Sequence, residues 1–336
     1  MRIDYRDKFL GTIFGVAIGD TLGHPFEGWL RETIHSNFTN FGDFIKDKRK
    51  WFTTYTDDTQ LTLKTAEALI QGGHFNYDYF INEYVKWLDE PPIGPGYGCL
   101  TSIRKLKYGI PWEQAASNSG GNGTVMRISP IGLFFHDEEE ELISAALKSS
   151  KITHSHPAAS AGAIVVAKAI SFLMDESSKE RFSIEAFFES ILSSISNSDN
   201  VIWNEFIEIL QKVKESLDMP IESGLIKFSQ VGVSAPYFIE EYIGKAFVHP
   251  YALSTVACAI FIFLKRLGSF EECIYELATA GGDSDTVGAI GGSLAGAYFG
   301  FFNIPKFLIQ LVKNQKKIMK VSEALYNRYR EVSGRF

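Results

Sequence analysis

Apolar residues along this chain recur at three- and four-residue steps wherever they recur with any period. Leu61 to Gln71, Tyr77 to Leu88, Pro157 to Met174, Val201 to Leu217, Tyr251 to Leu267 and Lys306 to Arg328 all follow that rule, the signature of a helix with one buried face. Alternation of the strand kind is scarce, and Gly224 to Val233 is the one tempting run. Turn signals at Gly72-Gly73, Pro91-Pro92, Pro95-Gly96, Gly120-Gly121, Pro220, Pro236 and Gly281-Gly282 cut the chain into pieces of helical length. No low-complexity tract or long linker separates them. The pattern predicts an all-α protein folded as a single domain over residues 1–336.

Two of the apolar stretches carry glycine at every fourth position: Gly11, Gly15, Gly19 and Gly23, then Gly288, Gly292, Gly296 and Gly300. Glycine inside a helix costs about 1 kcal/mol relative to alanine, and a four-residue step puts all of them on one face. Such a face is tolerable where another backbone lies against it and recovers the dispersion contacts. Both helices are therefore expected in the core, packed on each other, which would join the two ends of the chain. The same stretches imitate other signals. Met1 to Lys8 followed by Phe9 to Gly19 looks like a basic leader with an apolar core, but Asp4 and Asp7 interrupt it and no small-x-small cleavage site precedes Asp20. Thr286 to Phe302 falls short of the roughly 20 residues a bilayer needs. Neither is expected to span a membrane.

Composition adds limits. With 336 residues, 45% apolar, and a net charge of -7, the chain can bury a large core and is not a disordered one. It also lacks the basic balance of a nucleic-acid binder. Cys99, Cys258 and Cys273 have neither metal spacing nor the number for a disulfide framework, so a cytoplasmic protein is the expectation.

The candidate chemistry lies in two acidic clusters. Tyr55-Thr56-Asp57-Asp58-Thr59 precedes one helix, and Gly281-Gly282-Asp283-Ser284-Asp285-Thr286 opens the second glycine-striped one. Helix capping accounts for one carboxylate apiece. Two in each cluster, flanked by hydroxyls, exceed what a cap requires. Oxygen-only donors suit hard cations such as Mg²⁺, Mn²⁺ or Ca²⁺, and Asp57, Asp58, Asp283 and Asp285 carry the charge that two divalent ions would neutralise. Capping and a two-metal site stand level on spacing alone. Asp20 reads as turn chemistry and Glu27 as a further acid that reaches the same place. Ser119-Gly120-Gly121-Asn122-Gly123-Thr124 is either a plain loop or a nest of N–H groups for an anion; it is neither a P-loop nor a dinucleotide fingerprint. Thr153-His154-Ser155-His156-Pro157 lacks partners at zinc spacing and reads as hydrogen bonding or capping. Asp137 to Glu141 reads as a solvated helix start.

Taken together the motifs resemble the ADP-ribosylglycohydrolase family. The matching pieces are GTIFGVAIGDTLG with Glu27, YTDDTQLTLKTAEAL, PGYG, SGGNGTVMRISPIGL, THSHPAASAGA and AGGDSDTVGAIGGSLAGAYFG, in that order from Gly11 to Gly300. The resemblance implies an orthogonal helical bundle with a binuclear Mg²⁺ or Mn²⁺ centre in a cleft. It implies metal ligation by Thr56, Asp57 and Asp58 from one side and by Asp283, Asp285 and Thr286 from the other. It places Glu27 beside the metals in acid–base chemistry or gating, with Asp58 and Asp285 as its catalytic companions. Ser119, Gly121, Asn122 and Gly123 would contact a diphosphate, and Gly98 and His154 the nucleotide.

The implied reaction is metal-dependent cleavage of the glycosidic bond between ADP-ribose and a modified side chain or polymer. The partners are then an ADP-ribosylated protein or ADP-ribose polymer, with no nucleic acid or membrane required and a monomer expected. The loop PPIGPGYG lacks the additional aspartate of the arginine-specific branch, its nearest acids being Asp89 and Glu90, and so leans toward an O-linkage (serine or polymer); arginine stays open. All-α isoprenoid synthases also bind diphosphates through aspartates, but Asp57-Asp58-Thr59-Gln60-Leu61 ends in leucine where their DDxxD motif needs an acid. A non-catalytic ADP-ribose binder on the same scaffold is the remaining alternative.

Overall fold

A computed structural model describes residues 4–46, 54–175, 182–196 and 199–334; the first three residues of the leader-like segment lie outside them. The described residues are helical throughout their ordered elements and contain no strand. Isolated bridges pair Ser117 with His154, Gly121 with Tyr251 and Val248 with Gly282. The elements that matter below are α1 (Tyr5–Gly23), α2 (Asp57–Gly72), α3 (Tyr77–Trp87), α4 (Tyr97–Lys107), α5 (Pro157–Asp175), α6 (Ala252–Lys265), α7 (Phe270–Ala278), α8 (Ser284–Phe299) and α9 (Gln315–Ser333).

Helix α1 is buried on every side from Lys8 to Gly23, and α8 from Ser284 to Ala297. That explains why both read as uniformly apolar: neither has a face in water. Their glycines meet in antiparallel order. A methyl group added at Gly15 would stand 2.0 Å from the Gly292 carbonyl oxygen, one at Gly19 1.9 Å from that of Gly288, and one at Gly11 2.5 Å from that of Gly296. At the last step, Gly23 faces Ser284, whose hydroxyl donates to the Gly23 carbonyl at 3.0 Å. The expected pairing of the two striped helices is therefore what the chain adopts.

Around this pair stand α5, α6, α7 and α9. Helix α5 is long and apolar enough to cross a membrane, yet 83% of its apolar window is buried inside the protein. It is a core helix, made apolar by surroundings rather than by lipid.

Two expectations need correction. Lys306 to Arg328 is not one helix: Lys306–Leu311 ends, and α9 begins after Asn314, which sits in the left-handed region at φ 57°. Asparagine tolerates that conformation, and here its amide also donates to the Tyr55 hydroxyl at 3.2 Å. Gly224 to Val233 is not a strand, since Ile221–Phe228 is helical. Ile221, Leu225 and Phe228 form its buried face, and Gly224 makes room for the Phe261 ring.

The backbone contact predicts a sharp contrast. Gly15→Ala or Gly19→Ala forces a methyl group into a carbonyl of α8, so each is expected to abolish soluble folded protein or to cost at least about 3 kcal/mol. Gly268→Ala, where a methyl group would meet nothing within 4 Å, is the tolerated control. Urea denaturation of the three variants checks this.

Candidate metal centre

The antiparallel pairing brings the C-terminal end of α1 to the N-terminal end of α8. Chain segments on both sides are stitched there: Gly28 N–H donates to the Gly282 carbonyl and Gly282 N–H to that of Trp29, both at 2.8 Å. Val248 N–H donates to Gly281, and Asp283 N–H to Val248. Gly281 and Gly282 both take positive φ (83° and 70°), and a methyl group at Gly282 would lie 2.3 Å from the Val248 oxygen. Only glycine fits both demands.

The N-terminus of α2 reaches the same point through Asp20. This carboxylate, fully buried on the last turn of α1, accepts from the N–H and hydroxyl of Thr56 and of Thr59 at 2.6–3.0 Å. It caps α2 from another helix, and its oxygens are spent on that task. Thr56 in turn accepts from Asp58 N–H at 3.3 Å. Asp57 N–H donates to the Ile93 carbonyl at 2.8 Å, and the Asp57 carboxylate accepts from Gly96 N–H at 3.4 Å, which ties the loop before α4 to the cluster.

The two acidic clusters meet. Thr286 Oγ1 donates to Asp58 Oδ2 at 3.4 Å across 228 positions of sequence. Asp283 accepts from the Asn122 amide, which also donates to Thr255 Oγ1 at 3.0 Å. On the open side lie His24 and Glu27: His24 Nδ1 is 3.9 Å from Asp285 Oδ2 and 4.0 Å from Glu27 Oε2. One ligand atom each of His24, Glu27 and Asp285 lies within 4.8 Å of the others. Thr56, Asp57, Asp58, Asp285 and Thr286 are buried, Asp283 is partly so, and the Glu27 side chain is about half exposed (51%).

Burial raises the carboxyl of Asp20 to about 6 in spite of its hydrogen bonds. It lifts Asp57, Asp58 and Asp285 well above the usual range, each pushed further by the neighbouring carboxylates, and raises Asp283 as well. Glu27 is raised by burial first and by Asp283 second. Among the described residues no lysine or arginine pairs with any of these acids. Asp58 Oδ1 is buried with no hydrogen-bond partner. Crowded carboxylates without a counter-charge, an orphaned carboxylate oxygen and hydroxyls on the same surface are the donor chemistry that hard divalent cations satisfy. Capping alone leaves that oxygen unexplained.

The remaining predicted residues line an adjoining wall. A methyl group at Gly98 would stand 3.1 Å from His154 Nε2 and 3.5 Å from Ser119 Cβ; one at Gly123 would stand 2.6 Å from Cys99 Sγ. Gly98, Ser119, Gly123 and His154 are thus gathered. However, His154 is buried behind the glycines, with Nδ1 on Thr153 Oγ1 at 2.9 Å, and burial beside Arg127 drives its pKa down to about 3. It is a neutral imidazole. The glycine loop is not a nest of alternating handedness, since Gly120, Gly121 and Gly123 all lack positive φ. Gly121 N–H is taken by Ser119 Oγ at 3.1 Å and Asn122 N–H by the Pro250 carbonyl at 3.2 Å. These glycines supply close approach rather than converging donors.

The sequence model of the ADP-ribosylglycohydrolase family matches residues 1–334. The chain belongs to the ADP-ribosylglycohydrolase family. It is 25% identical to the ADP-ribosyl-[dinitrogen reductase] glycohydrolase of Rhodospirillum rubrum, over 95% of this chain and 96% of that one. It is also 25% identical to ADP-ribosylhydrolase ARH3 of Mus musculus, over 97% and 93%. A solved structure described as an ADP-ribosylglycohydrolase-related protein complex superposes with a TM-score of 0.69 at 25% identity, over 97% of this chain and 99% of that chain. Membership of this metal-dependent family accords with the ligand group at His24, Glu27 and Asp285.

Sequence reasoning missed Asp20, His24 and Arg127. Asp20 had a usable signal, an acid directly after a glycine stripe; His24 and Arg127 had none, because their roles depend on partners far away in sequence.

Asp20→Asn places amide hydrogens against the donors of Thr56 and Thr59. Its expected effect is a 10- to 100-fold loss of divalent-ion affinity with little change in helix content, read by isothermal titration and circular dichroism. A second outcome concerns pH. Raised carboxyl pKa values mean the ion-free fold holds protons that the unfolded chain has released, so stability falls as pH rises from the unfolded values near 3.8 through the folded ones. The buried neutral imidazoles act oppositely, but only below their unfolded value of 6.5. Above pH 6.5 the Tm of the EDTA-treated protein should therefore fall as pH rises, and saturating Mg²⁺ or Mn²⁺ should remove the slope. A flat Tm in EDTA would contradict this.

Proposed function

We propose that this protein hydrolyses the glycosidic bond joining ADP-ribose to a modified side chain or to the next unit of an ADP-ribose polymer, and releases ADP-ribose. One observation carries the reading: Asp58 and Thr286, from the two acidic clusters, touch inside a buried set of carboxylates with which no lysine or arginine among the described residues pairs. Family membership supplies the substrate class, and similar chains named as ADP-ribosyl hydrolases support it.

In this reading Thr56, Asp57 and Asp58 hold two Mg²⁺ or Mn²⁺ ions from one side and Asp283, Asp285 and Thr286 from the other. Ions held there would supply positive charge against the four aspartates and Lewis-acid binding of substrate hydroxyls, which would orient the anomeric carbon. Glu27 is the acid open to solvent. It takes a proton from the incoming water and returns one to the departing atom; burial and Asp283 raise its pKa above the usual carboxylate range. Asp58 and Asp285, as ligands, would make the surroundings of an oxocarbenium-like transition state rich in carboxylate oxygens. Gly98, Ser119, Gly121, Asn122, Gly123 and His154 border the nucleotide and diphosphate, the glycines by admitting close approach.

The linkage favoured is O-glycosidic. A guanidinium-linked substrate would want a free carboxylate beside the loop 91–98. The acids nearest in sequence are both engaged: Asp89 pairs with Lys107 at 2.9 Å, and Glu90 with Lys64 and Lys317 at 2.9 and 3.0 Å. Cleavage of ADP-ribosylarginine is the second reading, favoured by the nitrogenase-linked relative. The whole chain is taken as one domain that acts as a cytoplasmic monomer on ADP-ribosylated proteins or polymer.

Serine-linked, arginine-linked and polymeric ADP-ribose, offered with Mg²⁺ or Mn²⁺ and with an EDTA control, test the proposal. Release of ADP-ribose should require the ion and favour the serine-linked or polymeric substrate. Glu27→Gln should lower kcat by about 10²- to 10⁴-fold with a small change in KM. Tight ADP-ribose binding without turnover on any linkage would replace the enzyme with a binding protein.

A further inference from the structure

His24 stands where a nitrogen donor is out of place in an oxygen-only site. It follows α1 directly, so the glycine-locked packing of α1 on α8 fixes its backbone beside Asp285. Its Nδ1 is shielded from solvent and has no hydrogen-bond partner. That atom faces two carboxylates, Asp285 at 3.9 Å and Glu27 at 4.0 Å, too far for hydrogen bonds. Adjacent ligands about 2.0–2.2 Å from one cation stand roughly 3.0–3.4 Å apart, so an ion among these three groups would draw them closer than they lie here. On the inner side of the same cluster Asp58 Oδ1, on an almost wholly buried residue, is also without a partner. His24 Nδ1 and Asp58 Oδ1, like His249 Nδ1 on the Asp283 side, are thus unpartnered atoms around the acids.

We infer that His24 is a nitrogen ligand of the metal held by this cluster and that it biases the centre toward a first-row transition ion, Mn²⁺ over Mg²⁺. The inference rests on the metal-binding reading above and adds a ligand to it. Imidazole nitrogen suits transition ions, whereas Mg²⁺ prefers oxygen and readily keeps water in place of a lost ligand. Removal of the imidazole therefore penalises Mn²⁺ far more than Mg²⁺. His249 is the competing imidazole: it is part-buried and faces Asp283 from the segment before α6.

The test uses the full chain with Mn²⁺ and Mg²⁺ as probes and needs no turnover. Pulsed electron paramagnetic resonance of the Mn²⁺-loaded protein should show ¹⁴N coupling that vanishes in His24→Ala and persists in His249→Ala. Titration calorimetry should show Mn²⁺ affinity falling about tenfold or more in His24→Ala, with Mg²⁺ affinity changed less than about threefold. Absence of ¹⁴N coupling in the unaltered protein, its loss only in His249→Ala, or an equal fall for both ions overturns the inference while leaving the metal site standing. Failure of the unaltered protein to bind either ion overturns the metal reading itself. Should His24→Ala not fold, His24→Gln takes its place, and the spectrum of the unaltered protein beside that of His249→Ala still decides.

Discussion

The carbonyl groups of α8 lie where side chains of α1 would otherwise stand, and those of α1 do the same to α8. Such an approach requires glycine at every fourth position of both helices, and it gives up helix propensity at each one. What it secures is register. Once Gly15 faces Gly292 and Gly19 faces Gly288, the helices cannot slide by a residue without driving Cβ atoms into backbone. The end of α1 that carries Asp20, with His24 and Glu27 just beyond, is then held against the start of α8, with Asp283, Asp285 and Thr286. A contact between two uncharged backbones thus sets the positions of the charges.

The third participant, α2, joins through a polar device instead. Asp20 uses its lone pairs on Thr56 and Thr59, so the first turn of α2 is anchored by a neighbouring helix. Helix N-termini favour negative charge by their dipoles, and two of them converge here. That help is small beside the cost of burying several carboxylates together, which shows as raised pKa values throughout the cluster. A protein selected for stability alone would place apolar residues here. Retaining the acids makes sense when the missing positive charge arrives with an ion.

How much of this could be read from the sequence follows from where each signal resides. The glycine stripes and the paired TDDT and GGDSDT clusters are local patterns, and both led to the right neighbours: the striped helices pack, and Asp58 touches Thr286. The break at Asn314 escaped because the apolar period carries across it, and a single left-handed residue leaves no periodic trace. For Ser119 to Thr124 a plain loop and an anion nest both stayed open, since glycine content does not say why glycine is needed. Here the reason is the room taken by Tyr251, Cys99 and His154. Asp20 was passed over because a polar residue near a helix end has a sufficient local explanation in turn chemistry, and His24 because its partners lie far away in sequence.

Arg127 shows the same limit from the opposite sign of charge. Its guanidinium is wholly buried, yet its partners are neutral: the Tyr84 hydroxyl at 3.1 Å, the Gly123 carbonyl at 2.9 Å, Cys99 Sγ at 3.3 Å and Thr153 Oγ1 at 2.7 Å, with the Tyr84 ring beneath it at 4.6 Å. A buried cation with no paired acid is expensive. Asp57 and Asp58 lie near enough to act on the same Cys99 thiol, so the arginine and the acidic cluster share a region of low dielectric without touching. Its bonds gather the glycine loop, α4 and Thr153, and through Thr153 they orient His154. The wall that faces the acids is thereby held rigid by a positive charge set behind it. That arrangement leaves the cluster's carboxylates without a salt bridge to this arginine, and Asp58 Oδ1 without any partner.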